Sequence, residues 1–132
     1  MQVGITGYAG AGKTTVFNCL TGSDAETGFG GGKEPNRGNI KVPDQRIDAL
    51  SAIYKPKKTT YADISFVDLA APATSGDGKD GLDAHTASEL RKMDALVHVV
   101  RGFGGDAGLR ARGGKLDPVR DLVDFDTELS LL

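Results

Sequence analysis

Cysteine occurs once in the 132 residues, at Cys19, so no disulfide within the chain can support the fold. No apolar run approaches the roughly 20 residues that a membrane-spanning helix needs, and none near Met1 has the form of a secretory leader. The expected location is therefore the cytoplasm, without membrane attachment. Neither sign of charge is in excess: 16 Lys and Arg stand against 18 Asp and Glu, a formal net charge of -2. That balance gives no overall attraction to nucleic acid or to an anionic membrane, and such a partner would have to be met by a local patch. Internal repeats are also missing.

Glycine is what the sequence has in abundance. Its 19 residues are about twice the average share of roughly 7%, and backbone that approaches a ligand closely is one reason to need them. Residues 1–132 read as a single domain, which at this size buries roughly two-thirds of the surface its unfolded chain exposes. Gln2 to Thr6 (QVGIT) reads as a short apolar strand. A helix follows from about Lys13 to Leu20, with Val16, Phe17 and Leu20 inward. Thr21 to Gly38, with GFGGG at Gly28 to Gly32, has almost no apolar periodicity and reads as a long mobile loop, of a length that is usually either functional or disordered. Pro43-Asp44 opens a second helix, with Asp44 as its cap and Ile47, Leu50 and either Ile53 or Tyr54 toward the core; Lys55-Pro56 ends it.

Thr59 to Leu69 is expected to be extended, with Ile64, Phe66 and Val67 marking a buried strand that runs into Asp68 and stops at Pro72. A loop from Pro72 to Gly81 then precedes a helix around Asp83 to Met93. Asp94 to Arg101 (DALVHVVR) is apolar enough for a central parallel strand buried on both faces. After a glycine-rich loop around Gly104 to Gly114, Asp117 caps a last helix with Pro118 at its first position and Val119, Leu122, Val123 and Leu129 at helical spacing. This alternation predicts an α/β fold with a mainly parallel sheet, which binds ligands beyond the carboxyl ends of its strands.

GYAGAGKT, from Gly7 to Thr14, matches G-x-x-x-x-G-K-[ST], and it stands where that motif works, after a strand and at the start of a helix. Its glycines let the backbone curl so that the segment Gly7, Ala9, Gly10, Ala11, Gly12, Lys13, Thr14 and Thr15 wraps the phosphates of ATP or GTP with inward N–H groups, aided by the positive end of the helix dipole. Lys13 adds a full charge at the β and γ phosphates and serves the charge of the transition state. The Thr14 hydroxyl is a candidate ligand for Mg²⁺. A Rossmann dinucleotide loop is rejected, because the spacing is not G-x-G-x-x-G and that fold does not require Lys13-Thr14. The expected architecture is thus a three-layer P-loop nucleoside-triphosphatase domain.

Asp68 ends ISFVD and should emerge at the same sheet edge, where it can hold Mg²⁺ directly or through water, as a Walker B aspartate does. A complete GTPase switch reads D-x-x-G here. This chain has Ala71 instead, which keeps the N–H but not glycine's backbone freedom. Pro72 follows, where a glutamine would orient an attacking water, so any hydrolysis is expected to be slow.

These segments resemble the YchF subfamily of Obg-like P-loop ATPases and GTPases. The resemblance runs in order through GKTTVFNCLTG (Gly12 to Gly22), KEPNRG (Lys33 to Gly38), VPDQRIDAL (Val42 to Leu50), KPKKTTYADISFVDLA (Lys55 to Ala70), DALVHVVR (Asp94 to Arg101) and LDPVRDLVDFDTEL (Leu116 to Leu129). It implies a cytoplasmic nucleotide hydrolase that associates with ribosomes, often prefers ATP over GTP, and carries an apolar residue, here Pro72, in place of the catalytic glutamine. It also implies a switch at Gly32, Glu34, Asn36 and Ala71. Two positions depart from the family pattern: Gly32 stands before Lys33 where the family has threonine before I-E-P-N, and Ala71 stands where it has glycine. Without the threonine hydroxyl one Mg²⁺ ligand is missing, which weakens closure on the γ-phosphate. Relatives continue into a coiled-coil insertion, an asparagine-containing base-recognition motif and a C-terminal domain. The nucleotide domain is accordingly expected to be incomplete on its C-terminal side, with the choice between ATP and GTP left open.

The leading expectation is a Mg²⁺-dependent nucleoside-triphosphatase module. Its rival is a regulatory or scaffold module that binds nucleotide without turnover, motivated by Gly32, Ala71 and Pro72. A small-molecule kinase would need a lid of arginines, and Arg101, Arg110 and Arg112 read instead as solvated loop charges. His85 and His98 have no partner at ligand spacing and read as structural, Cys19 as a buried structural thiol, and Lys55 to Lys58 (KPKK) as either a solvated loop or a contact to ribosomal RNA phosphates.

Overall fold

The computed structural model describes residues 1–27, 35–71, 82, 84–104 and 116–132. Along them strands and helices follow as β1 (Gln2–Thr6), α1 (Lys13–Thr21), β2 (Asn36–Lys41), α2 (Gln45–Tyr54), β3 (Asp63–Asp68), α3 (Ala84–Leu90), β4 (Ala95–His98) and α4 (Pro118–Ser130). The strands form one open sheet in the order β2-β3-β1-β4. β1 lies parallel to β3 and to β4, while β2 runs antiparallel to β3. The α/β class is as expected, and the sheet is mixed, with its parallel part around β1.

Side chains two apart on a strand share a face, and the register sorts them into two layers of core. Val3 pairs with Phe66, and these two pack with Ile5 and Phe17 of α1 into one cluster, joined by Val16, Ile40 and Ile64. On the opposite face Val67 and Leu69 pack with Leu90 of α3, joined by Met93 and by Leu129 of α4. The sheet thus lies between α1 and the pair α3 and α4, the three layers expected. Full burial of an Ile or Phe side chain, as at Ile5 and Phe17, stabilises by about 1.5–3 kcal/mol each.

Several expectations need correction. Asn36 to Lys41 lies partly in the segment read as loop, yet forms β2; its polar NRGNIK conceals a strand because Ile40 alone packs an apolar side chain against the α1 cluster, and a Cβ at Gly38 would lie 2.6 Å from Thr21. β4 is a short edge strand rather than a central one. Among the described residues no strand covers its outer side, so Leu96 and Val97 remain 40% and 36% exposed. Helix α2 begins at its Asp44 cap as expected, the carboxylate accepting from the Arg46 N–H, but it buries none of its residues and Leu50, Ile53 and Tyr54 face solvent. In α4 the buried residue is Phe125; Val119, Leu122 and Val123 are exposed, as is Leu20 of α1. Cys19, read as buried, is exposed on α1.

Candidate functional site

Three glycines make the turn from β1 into α1 possible. Gly7, Gly10 and Gly12 have φ of 139°, 74° and 99°, a region that side chains resist. Gly7 is also limited by space, since a Cβ there would lie 2.3 Å from the Val99 carbonyl oxygen. Gly12 is the N-cap of α1 and has no side chain to cap it, which leaves the positive end of the helix to an incoming anion.

Two donors of this loop converge on one acceptor. The Ala11 N–H and the Lys13 ammonium both donate to the Tyr8 carbonyl, each at 3.2 Å. Lys13 is 8% exposed. Burial holds its pKa below the ordinary lysine value, and the Asp68 carboxylate acts more weakly in the opposite direction. A desolvated ammonium gains more from an arriving anion than a surface lysine does.

Asp68 is the buried last residue of β3. It shares a face with Phe66 and so points toward α1, where the Thr14 hydroxyl donates to its Oδ2 at 2.7 Å. The β2 register sets Asn36 directly opposite Asp68, and the Asn36 amide donates to the same oxygen at 3.3 Å. Oδ1 is buried and has no hydrogen-bond partner among the described residues. Leaving such an acceptor unmet costs about 1–3 kcal/mol or more. A hydroxyl beside a carboxylate with a free buried oxygen suits a hard cation such as Mg²⁺, which takes oxygen ligands and needs only one or two carboxylates. No group of three or more His, Cys, Asp or Glu that could hold a metal occurs among the described residues.

Of the other residues singled out in the sequence, Ala11 is buried, Ala9 half-buried, and Gly10 and Thr15 exposed. Ala71 is half-buried just beyond β3. Gly32, Glu34 and Pro72 lie outside the described residues, as do Arg110 and Arg112. The structure therefore brings together Lys13, Thr14, Asn36 and Asp68. Lys55 to Lys58 are exposed, and so is His85.

Arg101, read from the sequence as a solvated charge, is 8% exposed. Its Nη1 donates to the Gly10 carbonyl at 3.2 Å and its Nε to the Phe103 carbonyl at 3.2 Å, while the guanidinium sits 4.6 Å from the centre of the Phe103 ring. The available signal was position: Arg101 follows the apolar strand at the carboxyl edge of the sheet, where ligands bind. Tyr8 also escaped notice. Its hydroxyl donates to Glu128 at 3.4 Å and its ring meets Phe125 edge-on at 5.4 Å. His98 stacks on the same Phe125 at 4.4 Å, a structural place with both ring nitrogens buried and without hydrogen-bond partners among the described residues.

A family model described as 50S ribosome-binding GTPase matches residues 2–129. Similar proteins include the Ribosome-binding ATPase YchF of Haemophilus influenzae, 38% identical over 98% of this chain and 36% of its own length. That of Bacillus subtilis is 35% identical over 99% and 36%, and the Obg-like ATPase 1 of Oryza sativa subsp. indica is 34% identical over 99% and 34%. The solved structure of the Schizosaccharomyces pombe YchF GTPase superposes with a TM-score of 0.69 at 30% identity, covering 99% of this chain and 35% of that one. The resemblance read from the sequence is thus borne out, and the chain spans about a third of the length of these relatives. No helix among the described residues is long and apolar enough to cross a membrane.

Proposed function

This chain belongs to the 50S ribosome-binding GTPase family, and on that premise we propose that it binds a purine nucleoside triphosphate, ATP or GTP, with Mg²⁺ and hydrolyses it slowly. The observation that carries this reading is the meeting of buried Lys13 with the Thr14 and Asp68 pair, one Asp68 oxygen of which has no partner among the described residues. Residues Gly7, Ala9, Gly10, Ala11, Gly12, Thr14 and Thr15 offer backbone N–H groups to the phosphates, and Lys13 neutralises their charge. Thr14 and Asp68 would hold Mg²⁺, with Asn36 steadying the carboxylate; the ion, when bound, offsets the negative charge of the triphosphate. Asn36 and Ala71, with Gly32 and Glu34, belong to the switch that answers the γ-phosphate. No glutamine follows Asp68, Leu69, Ala70 and Ala71, so the chain lacks a group there to orient the attacking water, and turnover is slow.

Two relatives carry ribosome binding in their names, which supports the ribosome as partner and the cytoplasm as location. Exposed Lys55, Lys57 and Lys58 suit a contact to RNA phosphate. A second reading, binding without turnover, is favoured by Ala71 and Pro72 in the switch sequence. Calorimetric titration with ATP and GTP, with and without Mg²⁺, combined with an assay of phosphate release, separates the two. Mg²⁺-dependent binding with release supports the hydrolase, binding without release the regulatory module, and absence of binding by folded protein removes both. Lys13→Ala is expected to weaken binding by about a hundredfold or more, the loss of a buried charge-assisted contact; unchanged affinity would overturn the assignment of Lys13.

A further inference from the structure

We propose that Arg101 is a positioning residue of the phosphate loop: from the end of β4, its guanidinium holds the Gly10 carbonyl and so fixes the peptide that presents the Ala11 N–H. This rests on the reading of the loop as a phosphate site. Tyr8 is anchored through its ring on Phe125, but from Ala9 to Gly12 the loop carries no polar side chain that could hold its backbone. Ala9 and Ala11 end at a methyl group, and Gly10, at φ 74°, has the widest backbone freedom of any residue. A peptide in such a loop can turn over, exchanging an inward N–H for an inward carbonyl that would repel a phosphate.

The contact with Arg101 opposes that exchange. The C=O and N–H of one trans peptide point in opposite directions. The 3.2 Å bond from Arg101 to the Gly10 oxygen therefore directs the Ala11 N–H away from Arg101. There it donates to the Tyr8 carbonyl, the acceptor that also holds the Lys13 ammonium. Arg101 thus acts on the point where two phosphate-seeking donors meet, without itself being assigned a contact to the ligand. The guanidinium is held rigidly enough for this. It is 8% exposed, its Nε is tied to the Phe103 carbonyl, and its plane is supported by the Phe103 ring at 4.6 Å. A planar fork of donors can satisfy two carbonyls and a ring face together, which a lysine ammonium cannot reproduce.

The test uses the whole chain with Arg101→Met, Arg101→Lys and Phe103→Ala, and reads amide hydrogen exchange without nucleotide as well as the Kd for ATP and ADP. In Arg101→Met, exchange at Ala11 should rise roughly tenfold or more with little change in β1 and β3, and both nucleotides should bind roughly ten- to a hundredfold more weakly, the size of one hydrogen bond to a charged group. Arg101→Lys should recover only part of either effect. Phe103→Ala, which keeps the arginine and removes only its support, should raise exchange at Ala11 by roughly two- to fivefold. It remains informative should Arg101→Met fail to fold. Unchanged Ala11 exchange in the folded variants, or a rise spread evenly over the sheet, overturns the proposal. If the unmodified chain binds no nucleotide, the functional reading falls, and the exchange at Ala11 still decides the role of Arg101.

Discussion

Gly7 and Gly12 open and close the proposed phosphate loop, and both hold positive φ, yet a methyl group at the two positions meets different surroundings. At Gly12 it finds nothing within 4 Å, whereas at Gly7 it would lie 2.3 Å from a backbone oxygen that cannot swing away. Gly12→Ala should therefore cost only its left-handed backbone, about 1–2 kcal/mol. Gly7→Ala adds a clash between β1 and β4 and should cost about 3 kcal/mol or more. Urea unfolding of the two variants measures the difference, and equal costs would show that the loop relaxes freely around Gly7. The same scale separates what was legible from what was not. Lys13 and Thr14 were readable because their chemistry is written in consecutive residues, and Asp68 because it ends an apolar strand. Asn36 reaches Asp68 only through the β2 register, and Arg101 reaches Gly10 across 91 positions of sequence, so neither contact has a local signature.

Among elements, α1 and β1 were read nearly to the residue because glycine, apolar alternation and helical spacing agree there. Helices α2 and α4 show the limit of periodicity: an apolar stripe marks a helix but does not say what covers it. The stripe of α2 stays in solvent, and α4 is held by Phe125, which is fully buried and touches both Tyr8 of the loop and His98 of β4. Phe125→Ala should cost about 3–5 kcal/mol. Val119→Ala, at a side chain 72% exposed, should cost within about 0.5 kcal/mol apart from helix propensity. Thermal unfolding followed by circular dichroism compares them. Because Phe125 also backs the Tyr8 ring, its truncation should weaken nucleotide binding even where the variant is still folded, and a variant that is folded yet binds normally would uncouple α4 from the loop.

At the scale of the whole molecule, the class of fold and the edge of the sheet that carries the candidate site were legible, because alternating elements and one glycine loop determine both. The open side of β4 was not, since a strand apolar on both faces reads the same at a centre and at an edge. That placement has a consequence for stability. His98, on β4 against Phe125, is pushed below the ordinary histidine value by desolvation, with Asp126 and Asp121 of α4 pulling more weakly the other way. The unfolded chain then binds more protons than the folded one between the lowered value and the ordinary value near 6.5. Stability should be complete above that pH and fall as pH drops below it, levelling off once the folded protein is protonated too. Asp44 and Glu89 are shifted downward by hydrogen bonds to Arg46 and Lys92. They act at lower pH, losing their contribution only as pH falls below the ordinary carboxylate values near 4. Among the described residues, the window just below the ordinary histidine value therefore belongs to His98. His98→Leu, which keeps an apolar body against Phe125, should flatten the decline in that window and leave the steeper loss near pH 4 in place. Urea unfolding of both proteins at intervals from pH 4 to 8 gives the comparison, and a decline of the same slope in the variant would mean that the proton is taken up elsewhere.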